Sequence, residues 1–197
     1  MRRVVVTGMG MLAPFGRGVD YNWENIVAGK SAIRRIDEDL ELYDVPVKIA
    51  GKVPMGKEAH RFDPDTVMEP KEQRRVDKFI LFGMAAGIDA MEDSGWKPES
   101  EEEQYRAGVM MGSGIGGLQT IYENSVIINE NKSTHRVSPF FIPSCLINMI
   151  SGNLSIRFGL KGPNHACVTA CSTGTHAIGD AAAMIVRGDA DLMLAGG

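Results

Sequence analysis

The chain has 197 residues, 44% hydrophobic and 23% charged, with a formal charge of −4. That length carries one domain with a sizeable core, or part of a larger one. The negative balance argues against a nucleic-acid surface. Three cysteines without framework spacing indicate reduced thiols in a cytoplasmic setting, and no apolar run is long enough for a signal peptide or a membrane span.

In chain order, Val4-Val5-Val6 is a β-branched run ended by Gly8, which predicts a strand covered on both faces. A glycine- and proline-punctuated loop follows from Met9 to Gly18. Tyr21 to Ala28 reads as a short helix, with Asp20 or Asn22 as cap and Gly29 as stop. From Ser31 to Glu69 the pattern loosens into a surface excursion with one strand-like piece at Val47 to Val53. Val76, Ile80, Met84, Ile88 and Met91 fall at helical spacing and predict a helix from Arg74 to Asp93, ended by Gly95. Pro98 to Glu103 reads as an acidic, solvated linker. Gly108 to Met111 is a second buried strand leading into a glycine-rich loop. Ile121 to Ile128 reads as a helix, and Pro143 to Phe158 as an amphipathic one with Leu146, Met149, Ile150 and Leu154 on one side. Ala166-Cys167-Val168 is β-prone, Thr175 to Arg187 is an alanine-rich helix, and Asp191 to Ala195 is a final strand. Alternating strands and helices indicate an α/β protein with a largely parallel, doubly covered sheet.

Cys171 carries the most chemistry. It lies in Val168-Thr169-Ala170-Cys171-Ser172-Thr173-Gly174, at a strand-to-helix junction. A helix N-terminus favours thiolate over thiol, and the thiolate is the attacking species. Small flanking residues permit a sharp turn, and the amides of the helix's first turn could receive an oxyanion. Cys167, four residues earlier, would point to the same side of an extended strand and reads as a buried neighbour. Cys145 reads as core or interface. None of His60, His135, His165 and His176 stands at a metal-ligand spacing with the cysteines, so no metal site is expected. His176, on the helix after Cys171, is expected to point away from the sulfur.

The glycine motifs do not read as phosphate sites. Gly8-Met9-Gly10 lacks the third glycine and an opening helix, and Gly112 to Gly117 lacks the Lys-Ser or Lys-Thr of a phosphate loop. The second motif reads either as a tight loop where backbone meets backbone, or as a loop beside a substrate pocket.

The run Gly162-Pro163-Asn164-His165-Ala166-Cys167-Val168-Thr169-Ala170-Cys171-Ser172-Thr173-Gly174 resembles the active-site segment of the β-ketoacyl-acyl-carrier-protein synthases, the condensing enzymes of fatty-acid elongation. Arg3 to Gly10, Gly112 to Leu118, Ser138 to Ser144 and Gly188 to Gly197 resemble further family segments in the family's order, with the second and third closer to type II than type I. The resemblance is to the N-terminal half of the synthase II type, over residues 1–197. It implies the first half of a thiolase-like fold, with a mixed, largely parallel five-stranded sheet covered by helices. It also implies an acyl chain carried on Cys171, with Ile115 matching a chain-length-limiting isoleucine. Phe141 matches a phenylalanine that reaches into the partner's pocket across a homodimer. The implied partner is acyl carrier protein in acyl and malonyl forms, and no organic cofactor is implied. Two histidines, a lysine and a second oxyanion amide belong to the family's second half, beyond Gly197, so this chain alone is not expected to condense. The alternatives are a non-catalytic partner or structural fragment of the same fold, and a cysteine hydrolase, which lacks an identified histidine base.

Overall fold

A computed structural model describes residues 2–36 and 46–197. Its centre is β5 (Ala107–Met111), where all five residues are buried, as the apolar run predicts. It pairs in parallel with β7 (Leu192–Gly196) on one side and with β6 (Asn164–His165) on the other, giving the order β6-β5-β7. The described residues therefore form three of the five expected strands of the central sheet.

Val4-Val5-Val6 is not one of them. Val5 and Val6 are mostly exposed, and the segment that follows lies on a helix instead of a sheet edge. A methyl group on Gly8 would stand 2.2 Å from the Ala90 carbonyl oxygen, and one on Gly10 only 1.9 Å from that of Ala86. The Met9 amide also donates to Asp93 at 2.9 Å. A β-branched run becomes a strand only where an edge accepts its backbone.

That helix is α3 (Lys78–Ser94). It begins four residues later than the periodicity predicts, at Asp77, whose carboxylate accepts from the Phe79 amide, and it ends at Gly95 with φ +63°. A separate short helix, α2 (Pro70–Gln73), ends just before the predicted run begins. Ile80, Met84, Ile88 and Met91 are all buried and pack with Ile150 and Leu154 of α7 (Met149–Phe158) on one face of the sheet. The close approach of these helices uses small residues. A methyl group at Gly87 would lie 2.8 Å from Leu154.

The opposite face is covered by α8 (Thr173–Arg187), where Ala177 and Ala181 pack against Met110 and Cys167. Sheet and helices thus make three layers, with the C-terminal ends of β5 and β7 beneath the start of α8.

The remaining elements shift their expected bounds. α1 (Val19–Val27) starts earlier than predicted and takes Gly18 as its cap position; Asn22 is buried and donates to the carbonyls of Gly16 and Gly18. Two short antiparallel ribbons flank α1, β1 (Leu12–Ala13) with β2 (Gly16–Arg17) and β3 (Arg34–Arg35) with β4 (Ile49–Ala50). The strand-like piece at 47–53 reduces to β4, and residues 37–45 of the predicted surface excursion lie outside the described residues. The acidic stretch is partly helical. α4 (Glu101–Tyr105) is capped by the Ser100 hydroxyl, which accepts from the Glu103 amide, and three glutamates in its first turn favour the positive helix end. α5 (Leu118–Asn131) extends the predicted helix at both ends. The amphipathic helix expected over 143–158 is two. α6 (Phe141–Cys145) stops because the Cys145 carbonyl accepts from the Gly117 amide at 3.2 Å, leaving Leu146 extended and 43% exposed before α7 begins.

Candidate active site

β6 is short for a physical reason. In place of a direct ladder bond, the Met111 amide of β5 donates to the Ser151 hydroxyl at 2.9 Å, which donates to the His165 carbonyl at 2.7 Å. Ser151 is fully buried on α7. A side-chain hydroxyl inserted between the strands ends their pairing, and the chain peels away after His165. The β-prone stretch Ala166 to Val168 therefore forms no strand.

The released chain makes a tight turn. Ala170 adopts φ +51°, a left-handed conformation that a side chain with Cβ disfavours. A single 3₁₀ turn over Ala170–Ser172 follows and runs into α8 two residues before the predicted start. The Ser172 amide donates to the Thr169 carbonyl at 3.0 Å, and the Thr169 amide donates to the Thr173 hydroxyl at 2.9 Å. Cys171 sits inside this turn and is exposed, whereas Cys145 and Cys167 are buried. Cys167 does not share a side with Cys171 as an extended strand would require, because the turn at Ala170 intervenes. Its thiol donates to the Thr173 carbonyl at 3.5 Å, and burial, with the negative charge of Asp180, pushes its pKa up. No side chain caps α8, and one first-turn amide, that of Thr173, is already taken by the Ala170 carbonyl.

The glycine-rich loop lies against this turn. A methyl group on Gly112 would meet the Thr173 methyl at 2.3 Å and the Cys167 carbonyl oxygen at 2.5 Å. One on Gly114 would stand 3.1 Å from the Ala170 carbonyl oxygen, and one on Gly117 2.7 Å from Cys145 Cα. This is the tight loop of the first reading: backbone approaches backbone, and the backbone it approaches leads into Cys171. Ile115 projects from the loop with 67% of its surface exposed. Phe141 is half-buried at the start of α6, the helix whose end the same loop touches.

His176 is occupied at both ring nitrogens. Nδ1 lies 3.2 Å from the Thr169 hydroxyl and Nε2 3.0 Å from the Asp180 carboxylate. His60, in the left-handed region at φ +62°, stacks on Tyr21 at 3.9 Å far along the chain. Among the described residues, no group of three or more His, Cys, Asp or Glu converges on a point that could hold a metal ion.

Sequence reasoning missed two supporting side chains. Thr173 closes the turn that carries Cys171. Asp77 caps α3 and also accepts from the Thr120 amide and hydroxyl at 3.1 and 2.6 Å, which ties α3 to α5. Thr173 was findable from its place two residues past the cysteine, since small hydroxyl residues favour turns and helix starts. Asp77's cap was also legible, but its second role depends on a residue more than forty positions away.

The model of the β-ketoacyl synthase N-terminal domain matches residues 1–197. The chain belongs to the β-ketoacyl synthase family. It is 52% identical over its whole length to the 3-oxoacyl-[acyl-carrier-protein] synthase 2 of Rhizobium meliloti (strain 1021), covering 47% of that protein. It is 50% identical over its whole length to the enzyme of the same name from Vibrio cholerae serotype O1, covering 45% of it. Its fold superimposes on the crystal structure of a β-ketoacyl synthase from Burkholderia phymatum STM815 with TM-score 0.78 and 27% identity, over 99% of this chain and 46% of that one. The thiolase-like α/β fold is the one these ketosynthases share. The chain spans about half the length of the relatives it matches.

Proposed function

We propose that this chain supplies the nucleophile of an elongating condensing enzyme. The single observation behind this is the exposed thiol of Cys171, held in a left-handed turn at the head of α8 above the C-terminal ends of β5 and β7. Open α/β sheets bind ligands at that end. The Cys171 thiolate attacks the carbonyl carbon of an acyl-carrier-protein thioester. The carrier thiol leaves, and an acyl-cysteine thioester forms. Malonyl-carrier protein then loses carbon dioxide, and its carbanion attacks the acyl-cysteine carbonyl. The product is a β-ketoacyl-carrier protein two carbons longer, and the Cys171 thiolate is regenerated. Both carbons arrive activated as thioesters, so no organic cofactor is needed.

The partner is acyl carrier protein, which the names of the relatives also carry. Ile115 and Phe141 line the acyl pocket, and Phe141 reaches the pocket of a second copy in a homodimer. Two-fold dimers are the commonest oligomers, which supports this arrangement. No helix among the described residues is long and apolar enough to cross a membrane, and we place the enzyme in the cytoplasm.

The test is acyl transfer to the thiol. Incubation with an acyl-carrier protein should add the acyl mass to the peptide containing Cys171, and Cys171→Ala should accept none. An unmodified Cys171 peptide in the wild type, with the donor intact, overturns the proposal. It would leave the alternative of a non-catalytic relative of the same fold.

A further inference from the structure

We propose that Thr173 is a positioning residue for Cys171, its hydroxyl locking the turn that presents the thiol. The inference rests on the reading of Cys171 as acyl acceptor. Thr173 stands two residues past Cys171 with only 1% of its surface exposed. Its two branches meet different neighbours.

The hydroxyl spans the turn. It accepts from the Thr169 amide at 2.9 Å and donates to the Ala170 carbonyl at 2.7 Å. Those are the two residues that lead into Cys171, and Ala170 is the one at φ +51°. A non-glycine residue stays in the left-handed region only where its surroundings hold it there. The Thr173 backbone amide also donates to the Ala170 carbonyl, so amide and hydroxyl grip the same oxygen.

The methyl branch aims the hydroxyl. Methyl groups placed on Gly112 and Gly197 would lie 2.3 and 3.2 Å from the Thr173 Cγ2, so that carbon fills the gap between the ends of β5 and β7. A β-branched side chain has few χ1 choices, and pinning one branch directs the other. Glycine at both strand ends leaves room for threonine, and threonine in turn fixes where Cys171 stands. His176 adds a third fastening through the Thr169 hydroxyl.

Two substitutions separate the branches. Thr173→Val keeps the shape and loses both hydrogen bonds; Thr173→Ser keeps the hydroxyl and loses the wedge. The measurements, on the full chain, are the rate of Cys171 acylation by an acyl-carrier protein, the rate of its alkylation by iodoacetamide across pH, and hydrogen exchange at the Thr169 amide. Thr173→Val should slow acylation by about tenfold to a hundredfold, the usual scale for a misplaced reacting group, with little change in the Michaelis constant of the donor. It should also shift the alkylation pH profile and expose the Thr169 amide to exchange. Thr173→Ser should recover most of the rate and keep that amide protected.

Wild-type rates in Thr173→Val overturn the proposal, as does a loss confined to Thr173→Ser, which would credit the methyl alone. If Thr173→Val does not fold, the wild type decides: rapid exchange at the Thr169 amide shows that the hydroxyl holds nothing. If wild-type Cys171 is never acylated, the acyl-acceptor reading fails. The alkylation profiles and the Thr169 exchange still decide what Thr173 does.

Discussion

Two thiols four residues apart meet different surroundings, and the difference predicts their chemistry. Cys167 is packed under α8 and its thiol is pushed up by burial, whereas Cys171 is exposed in the turn above it. Cys145 is buried too, its thiol 3.4 Å from the Ile142 carbonyl. Iodoacetamide should therefore label Cys171 first, with Cys145 and Cys167 reacting only on unfolding. Peptide mapping checks this, and equal labelling at either buried thiol would refute it. At Ile115 the expectation concerns size. Its side chain projects from the loop that touches the Cys171 turn, so Ile115→Phe should reject long acyl donors while short ones still load Cys171. Chain-length preference identical to the wild type would remove Ile115 from the pocket. Cys171 itself was legible because its turn is made by adjacent residues. The contacts of Gly112 and Gly114 with that turn were not, because they join residues more than fifty positions apart.

Elements were legible where they needed no distant partner. The buried strand at 107–111, the long helix ended by Gly95, and the final strand all follow from local period and punctuation. Val4 to Val6 and Ala166 to Val168 have equally good strand composition and form none. A strand depends on an edge, and one run leads onto α3 while the other is cut off by a side chain on α7. That side chain gives a stability test. Ser151→Ala removes the hydroxyl that bridges the Met111 amide and the His165 carbonyl. The Met111 amide is buried and the His165 carbonyl partly so, and unfolding in urea should show a loss of about 1–3 kcal/mol, the range for stranding a buried polar group. An unchanged midpoint would mean that β5 and β6 re-form a direct bond.

At the scale of the whole molecule, the two ends of the sheet carry different loads. The end away from Cys171 is clamped by charge. Arg106, just before β5, makes paired 2.9 Å bonds to Asp191, just before β7, and Arg2 adds another at 2.8 Å. The two guanidinium groups pull the Asp191 carboxyl from its ordinary 3.8 down to about 2. The folded pKa is the lower one, so this contribution is complete above pH about 4 and is lost as pH falls toward 2. Asp191→Asn should therefore lower stability at neutral pH and match the wild type near pH 2 in acid unfolding. The effect should be modest, since more than half of the carboxylate is exposed. The Cys171 end is where we place the chemistry. His176, the histidine of α8, has one ring nitrogen near Thr169 and the other near Asp180. Neither is left to assist a malonyl carboxylate. Positioned acid–base groups contribute about 10²–10⁴-fold, and one oxyanion donor about 10²–10³-fold. Residues 1–197 should consequently acylate Cys171 slowly yet decarboxylate malonyl-carrier protein at least a hundredfold more slowly than a chain extended through the second half of its relatives. Carbon dioxide release by the two proteins, side by side, measures this. Comparable turnover would mean that a general base sits within these residues, and His176 would be the first side chain to replace.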